Sequence, residues 1–192
     1  MMSIDEIKDI LGRMLTRKRY EHSLKVMEAA VMLAEKYGED AEKAALAGLV
    51  HDCAKDLKAG EVFELCEKYN ITVDKIMRNQ PELLHGQVGS FIARDLFGID
   101  CPRILAAISS HTMGKPGMDR LGCIIFIADY IEENRDYPGV GDIRAAAGES
   151  LEKAIVAGID NTIRHVLDSG RMLHPQTVDT RNWALEKLQK GR

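Results

Sequence analysis

Residues 44–57 read A-A-L-A-G-L-V-H-D-C-A-K-D-L, an apolar helical run that meets His51 and Asp52 where it should enter a core. A second run, L-G-C-I-I-F-I-A-D-Y-I at 121–131, carries Asp129 in the same predicament. An ionised carboxylate in apolar surroundings is costly unless it is paired or bound to a metal. A chain with two such acids must fold so that something compensates both.

The rest of the pattern is helical, and we expect an all-α chain. Ser3 followed by Glu6 predicts a capping box and a helix to about Leu15. A second helix is expected from Arg19 to Tyr37, with Leu24, Val26, Met27, Ala30, Val31, Leu33 and Ala34 on its apolar face and Gly38 ending it. Asp40 can cap the helix that leads to the doublet. Further helices are expected over 60–69, 72–79 (stopped before Pro81), 85–97, 102–111 and 119–133. Loops fall at 113–118 and 137–142, followed by helices over 143–147, 149–168 and 177–189. Strand alternation, repeats and linkers are absent from the pattern. The reading is one domain over 1–192, with a motif-bearing core at about 15–145 and C-terminal helices at about 149–190 packed on it.

A net charge of −4 offers no basic excess for a phosphate backbone, so no nucleic-acid partner is expected. The start M-M-S-I-D-E-I-K has no signal-peptide pattern, and the 121–131 run is too short to span a bilayer. Cys53, Cys66, Cys101 and Cys123 form no C-x-x-C pair and are read as reduced thiols in apolar helical contexts. These features predict a cytoplasmic protein without membrane contact.

Six histidines accompany the two acids. Singly, each has an ordinary explanation. His22 could be a core-edge residue, His85 a helix-start residue, His111 a favourable charge at a helix C-terminus, and Asp129 the partner of an arginine. His165 and His174 are read as structural or surface residues. Jointly, imidazole plus carboxylate without thiolate is a ligand set for iron, manganese, cobalt or zinc. A divalent ion would neutralise both acids.

The order His22, then His51-Asp52, then Asp129 resembles the H…HD…D signature of the HD-domain phosphohydrolases, an all-helical metal-dependent family. The strings R-Y-E-H-S at 19–23, H-D-C-A-K at 51–55, H-G-Q-V-G at 85–89, H-T-M-G at 111–114 and A-D-Y-I-E at 128–132 are similar to its bacterial YqeK-like group. Met113 departs from the threonine or small residue expected there. The resemblance implies symmetric hydrolysis of diadenosine tetraphosphate to two ADP. It implies two divalent ions, iron first, with manganese or cobalt as substitutes. His22, His51, Asp52 and Asp129 would hold one and His85 and His111 the other, with Asp52 bridging and the ions ~3.5–4 Å apart.

Water acidified between two such ions would serve as nucleophile, so no serine or cysteine nucleophile is needed. No G-x-S-x-G elbow, Walker A motif or dinucleotide fingerprint is found. Asp52 and Lys55 are the candidate catalytic residues. Arg19, Thr112 and Arg135 join the six ligands and Lys55 as candidate substrate contacts. A nucleotidase or cyclic-nucleotide phosphodiesterase on the same scaffold, or a non-catalytic nucleotide-binding module, is the alternative. The partner expected is a nucleotide or dinucleoside polyphosphate. A homodimer is compatible with the sequence, which does not fix the oligomeric state.

Overall fold

The computed structural model describes residues 2–190. Among them are eleven α-helices, one short 3-10 helix and no strand. Helix α1 (Ile4–Met14) opens on the expected capping box, with the Ser3 and Glu6 side chains each bonded to the other's backbone N–H. Helix α2 (Arg17–Tyr37) ends at Gly38, which takes the left-handed conformation at φ 65°. Helix α3 (Ala41–Val50) starts from Asp40, whose carboxylate accepts from the Lys43 N–H. Helices α4 (Ala59–Lys68) and α5 (Lys75–Asn79) lead to the 3-10 turn Pro81–Leu84. Then follow α6 (His85–Phe97), α7 (Pro102–Ser110) and α8 (Arg120–Ile131). Helices α9 (Val140–Glu149), α10 (Leu151–Asp168) and α11 (Pro175–Lys190) close the chain.

Several expectations are corrected. Residues 72–74 are not helical, because Asp74 is an N-cap that accepts from the Met77 N–H and so delays α5 to Lys75. Pro81 opens the 3-10 turn rather than a plain break. The 137–142 loop already yields to helix at Val140, because Gly139 at φ 92° turns the chain sharply. On α2, Leu24, Met27 and Val31 are only half-buried, while Ser23 and Ala29 belong to the buried face. Cys53 lies in the turn after α3 and Cys101 caps α7, so two of the four free thiols are outside helices.

The main core joins α2, α3, α7 and α8, with α10 packed on α8 and α9, and α11 on α10. Every residue of α8 from Leu121 to Ala128 is buried, so this helix runs through the centre and delivers Asp129 at its far end. Leu151, Ala154, Ile155, Ile159 and Ala184 place the C-terminal helices in the same core. A smaller cluster of Ala54, Val62, Cys66, Met77, Leu84, Val88 and Met113 underlies α4 to α6. Burial there accounts for an apolar side chain at Met113. No described helix is long and apolar enough to cross a membrane.

Candidate active site

The six residues expected as metal ligands come from five separate elements and meet at one place. His22 projects from the second turn of α2, and Asp129 from the last turn of α8. His51 and Asp52 follow α3, His85 opens α6, and His111 follows α7. His51, Asp52, His85 and His111 are buried. His22 Nε2 lies 3.0 Å from Asp129 Oδ1, and His51 Nε2 lies 3.9 Å from the same oxygen. Asp52 turns Oδ2 toward His51 Nε2 at 3.8 Å and Oδ1 toward His85 Nε2 at 3.0 Å and His111 Nε2 at 3.3 Å. The Nε2 atoms of His85 and His111 are 2.9 Å apart.

One local device holds three of these rings. His51, His85 and His111 each follow the last residue of a helix or 3-10 turn. In each, Nδ1 reaches the carbonyl three residues earlier, at Gly48 (2.7 Å), Glu82 (2.5 Å) and Ile108 (2.7 Å). A carbonyl only accepts, so Nδ1 carries the proton and Nε2 keeps its lone pair facing the centre. His22, inside a helix, has no free carbonyl beneath it. Its Nδ1 instead meets the buried carboxylate of Glu132 at 3.2 Å.

The result is a cluster of imidazole lone pairs aimed at carboxylate oxygens. His22 Nε2, His51 Nε2 and Asp52 Oδ1 are buried and lack a hydrogen-bond partner. Buried polar atoms are seldom left so, and acceptors facing acceptors repel. A cation among them removes both penalties, and the side chains His22, His51 and Asp129, and again His51, Asp52 and His111, crowd closely enough to ligate one. Burial pulls His51 and His85 down to about 4, so both imidazoles are neutral at neutral pH. Burial alone would raise Asp52, but His51, His111, His85 and Lys55 hold its carboxyl well below the usual range. Asp129 is likewise held low against burial, by His22 and Arg135. Burial lowers the His22 pKa, yet its Asp129 partner outweighs this and the net shift is upward. The nearby Cys53 thiol is pushed up to about 12 by burial and the Asp52 charge, so no thiolate joins the set.

The other predicted residues divide. Lys55 Nζ lies 3.0 Å from His85 Nε2 and 3.6 Å from Asp52 Oδ1. Thr112 Oγ1 lies 3.2 Å from His85 Nε2. Arg135 is ion-paired with Asp129 and donates to its backbone oxygen at 2.8 Å. The arginine partner considered for Asp129 thus exists beside the histidines, not instead of them. Arg19 donates to Asp56 at 2.6 Å, at the rim of a cleft of about 800 Å³ that opens onto His22, Asp52 and Lys55. His165 and His174 lie outside the cluster: His165 is in the last turn of α10, and His174 pairs with Asp74. Glu132 was not among the expected residues, although it is the last letter of A-D-Y-I-E. It accepts from the Asn134 N–H at 2.7 Å, while Arg144 from α9 donates to the carbonyls of Ile131 and Glu132.

Comparison with known proteins agrees with this geometry. The chain is 40% identical over 89% of its length to a protein of Halalkalibacterium halodurans named symmetrical bis(5'-nucleosyl)-tetraphosphatase, of which 91% is covered. It is 36% identical over 95% of its length to the protein of the same name from Bacillus subtilis, with 97% of that protein covered. A crystal structure from Clostridium acetobutylicum, described as a predicted HD superfamily hydrolase involved in NAD metabolism, superposes with a TM-score of 0.94. It shares 45% identity, covering 97% of this chain and 99% of that one. The family model described as "HD domain" matches residues 19–134, the span that carries all six converging side chains, and the chain belongs to the HD-domain family.

Proposed function

We propose that the chain hydrolyses diadenosine tetraphosphate symmetrically to two ADP, with two divalent ions resident at the cluster. The observation that carries the reading is the convergence of four outward-anchored imidazoles on the buried Asp52 and the partly buried Asp129, with His22 Nε2, His51 Nε2 and Asp52 Oδ1 left unpartnered. The names of the relatives from Halalkalibacterium and Bacillus support the substrate. His22, His51, Asp52 and Asp129 would hold one ion, and His85 and His111 the other. Asp52 presents one oxygen to each group, as a shared ligand should. An imidazole and carboxylate set suits iron first, with manganese or cobalt as substitutes. The absence of disulfides among four cysteines supports a reducing, cytoplasmic setting.

Bound divalent ions supply Lewis acidity and lower the pKa of a coordinated water. The chain's own groups do the rest. Lys55 stands beside His85 at one end of the cluster and Arg135 beside Asp129 at the other, so a polyphosphate laid across it meets positive charge on both sides. Thr112 offers a hydroxyl at the Lys55 end. Cations bracketing the reacting phosphorus favour attack inside a phosphate chain over attack on a lone terminal phosphate. The ion pair with Asp129 and the bond to its backbone oxygen hold Arg135 at the cluster. Arg19 is held by Asp56 at the cleft rim, where a nucleoside or outer phosphate would enter.

The test is product analysis on protein loaded separately with iron, manganese and cobalt. ADP alone, in two copies per substrate, is expected. Equal ATP and AMP would mean asymmetric cleavage. No turnover with any loaded metal would overturn the reading in favour of a binding module. Lys55→Ala is expected to lower kcat/KM by roughly 10–150-fold, equivalent to ~1.5–3 kcal/mol for a charge-assisted contact. Its metal content should match wild type by elemental analysis, because the ammonium is not a ligand.

A further inference from the structure

We infer that residues 171–180, beyond the span matched by the family model, form a brace that positions His85 and His111, with Gln176 and Thr180 as positioning residues for the second ion. The inference rests on the two-ion reading above.

The two histidines come from different parts of the chain, and each sits where a short turn meets a helix. His85 is the first residue of α6, directly after the 3-10 turn that follows Gln80, and His111 begins the turn Thr112-Met113-Gly114. Residues 171–180 bond to both segments. On the His85 side, the buried Gln80 side chain makes two bonds with the Met172 backbone. Its Nε2 donates to the Met172 oxygen at 3.1 Å, and its Oε1 accepts from the Met172 N–H at 2.9 Å. Arg171 pairs with Glu82, whose backbone oxygen holds His85 Nδ1. His174 Nε2 meets the Asp74 carboxylate at 2.7 Å, and its Nδ1 accepts from the Gln176 N–H at 3.1 Å, which fixes the tautomer.

On the His111 side, the Gln176 side chain donates to the Gly114 oxygen at 2.5 Å. The buried Thr180 hydroxyl faces the Met113 oxygen at 3.2 Å and its own helix at Gln176 at 2.8 Å. The approach is so close that a Cβ on Gly114 would come 2.3 Å from Thr180 Cγ2, and φ there is 68°. Only glycine satisfies both demands. The braced turn carries two side chains of the cluster, His111 and Thr112, and both touch His85 Nε2. The brace makes no contact with the His22–Asp129 end in these bonds. It therefore acts on one half of the cluster.

The test compares full-length Gln176→Leu, Thr180→Val and their double variant with wild type, by calorimetric titration of metal-free protein with Mn²⁺. Wild type should take two ions. The double variant should bind the second about 10–100-fold more weakly, the loss usual for an outer support of a ligand, with the first unchanged. Turnover should fall through kcat rather than KM, and Thr180→Ser should restore much of it. Two ions bound with wild-type affinity by the double variant would overturn the brace alone. Equal weakening of both ions with a lowered Tm would overturn it as well, by showing general unfolding. A wild-type chain that binds a single ion would overturn the two-ion reading and the brace with it.

Discussion

Asp52→Ala is expected to leave the protein without stoichiometric metal and without measurable turnover. Asp52 is the one side chain that faces both groups of histidines, His51 through Oδ2 and His85 and His111 through Oδ1. Its carboxyl is held ionised despite burial, so it brings a full negative charge to the centre. Alanine removes that charge and leaves His51 and His85, which burial already holds neutral. The loss of activity should exceed the roughly 10–100-fold that follows from removing an outer support of a ligand. Elemental analysis reads the metal directly. A second readout is independent of catalysis. A ligand that binds only the folded chain stabilises it by about 2.7 kcal/mol at a hundred times its Kd, so Mn²⁺ should raise the Tm of wild type and leave that of Asp52→Ala unmoved. Asp56→Ala is the control. Asp56 lines the same cleft, but its carboxylate is taken up by the Thr16 N–H and the Arg19 guanidinium. It should retain both ions, and stoichiometric metal in Asp52→Ala would refute the shared-ligand assignment.

That prediction was legible in the sequence, because a carboxylate inside an apolar helical run announces itself by its cost. Asp52 and Asp129 could both be picked out in this way. So could the helix starts at Ser3 and Asp40, whose caps are local chemistry, and at Pro102, whose ring suits a first helical turn. Convergence could not be derived from spacing, since His22 and Asp129 are joined only by the packing of α2 on α8. It came from the resemblance.

Glu132 shows why some functional residues escape. Its role depends on His22 lacking a carbonyl beneath Nδ1, a fact of helix geometry and tertiary packing together. Arg135 was legible as a cation near the site, and an arginine partner for Asp129 was one of the readings, but nothing in the spacing singled out Arg135 as that partner. His174 was read as structural or surface, and the structure makes it a buried link between α11 and the Asp74 cap. The bonds of Gln176 to Gly114 and of Gln80 to Met172 cross 62 and 92 residues. A polar side chain seen alone in sequence gives no hint of such a partner.

The double variant His85→Ala/His111→Ala is expected to bind one ion where wild type binds two. The two rings form one end of the cluster. Their Nε2 atoms are 2.9 Å apart, and among the carboxylates both face only Asp52 Oδ1. The other end keeps His22, His51 and Asp129 within ligating distance of one another and untouched by the substitutions. It also keeps the Nδ1 anchors of His22 and His51 on Glu132 and Gly48. On the proposed assignment, removing the two rings takes away donors of the second ion and none of the first. Lys55 loses its imidazole neighbour but still lies 3.6 Å from Asp52, so its charge stays at the site and partly replaces the missing cation. That substitution does not restore Lewis acidity, and turnover should fall by at least the ~10²–10³-fold that the loss of one electrostatic donor costs an active site. Two small cavities open where the rings stood, and their polar lining lets water fill them, so the fold should persist. Metal titration of the purified variant decides the matter. One ion at wild-type affinity with strongly reduced turnover is the expected result. Two ions at wild-type affinity would mean that His85 and His111 are structural and that catalysis runs from the His22 end alone.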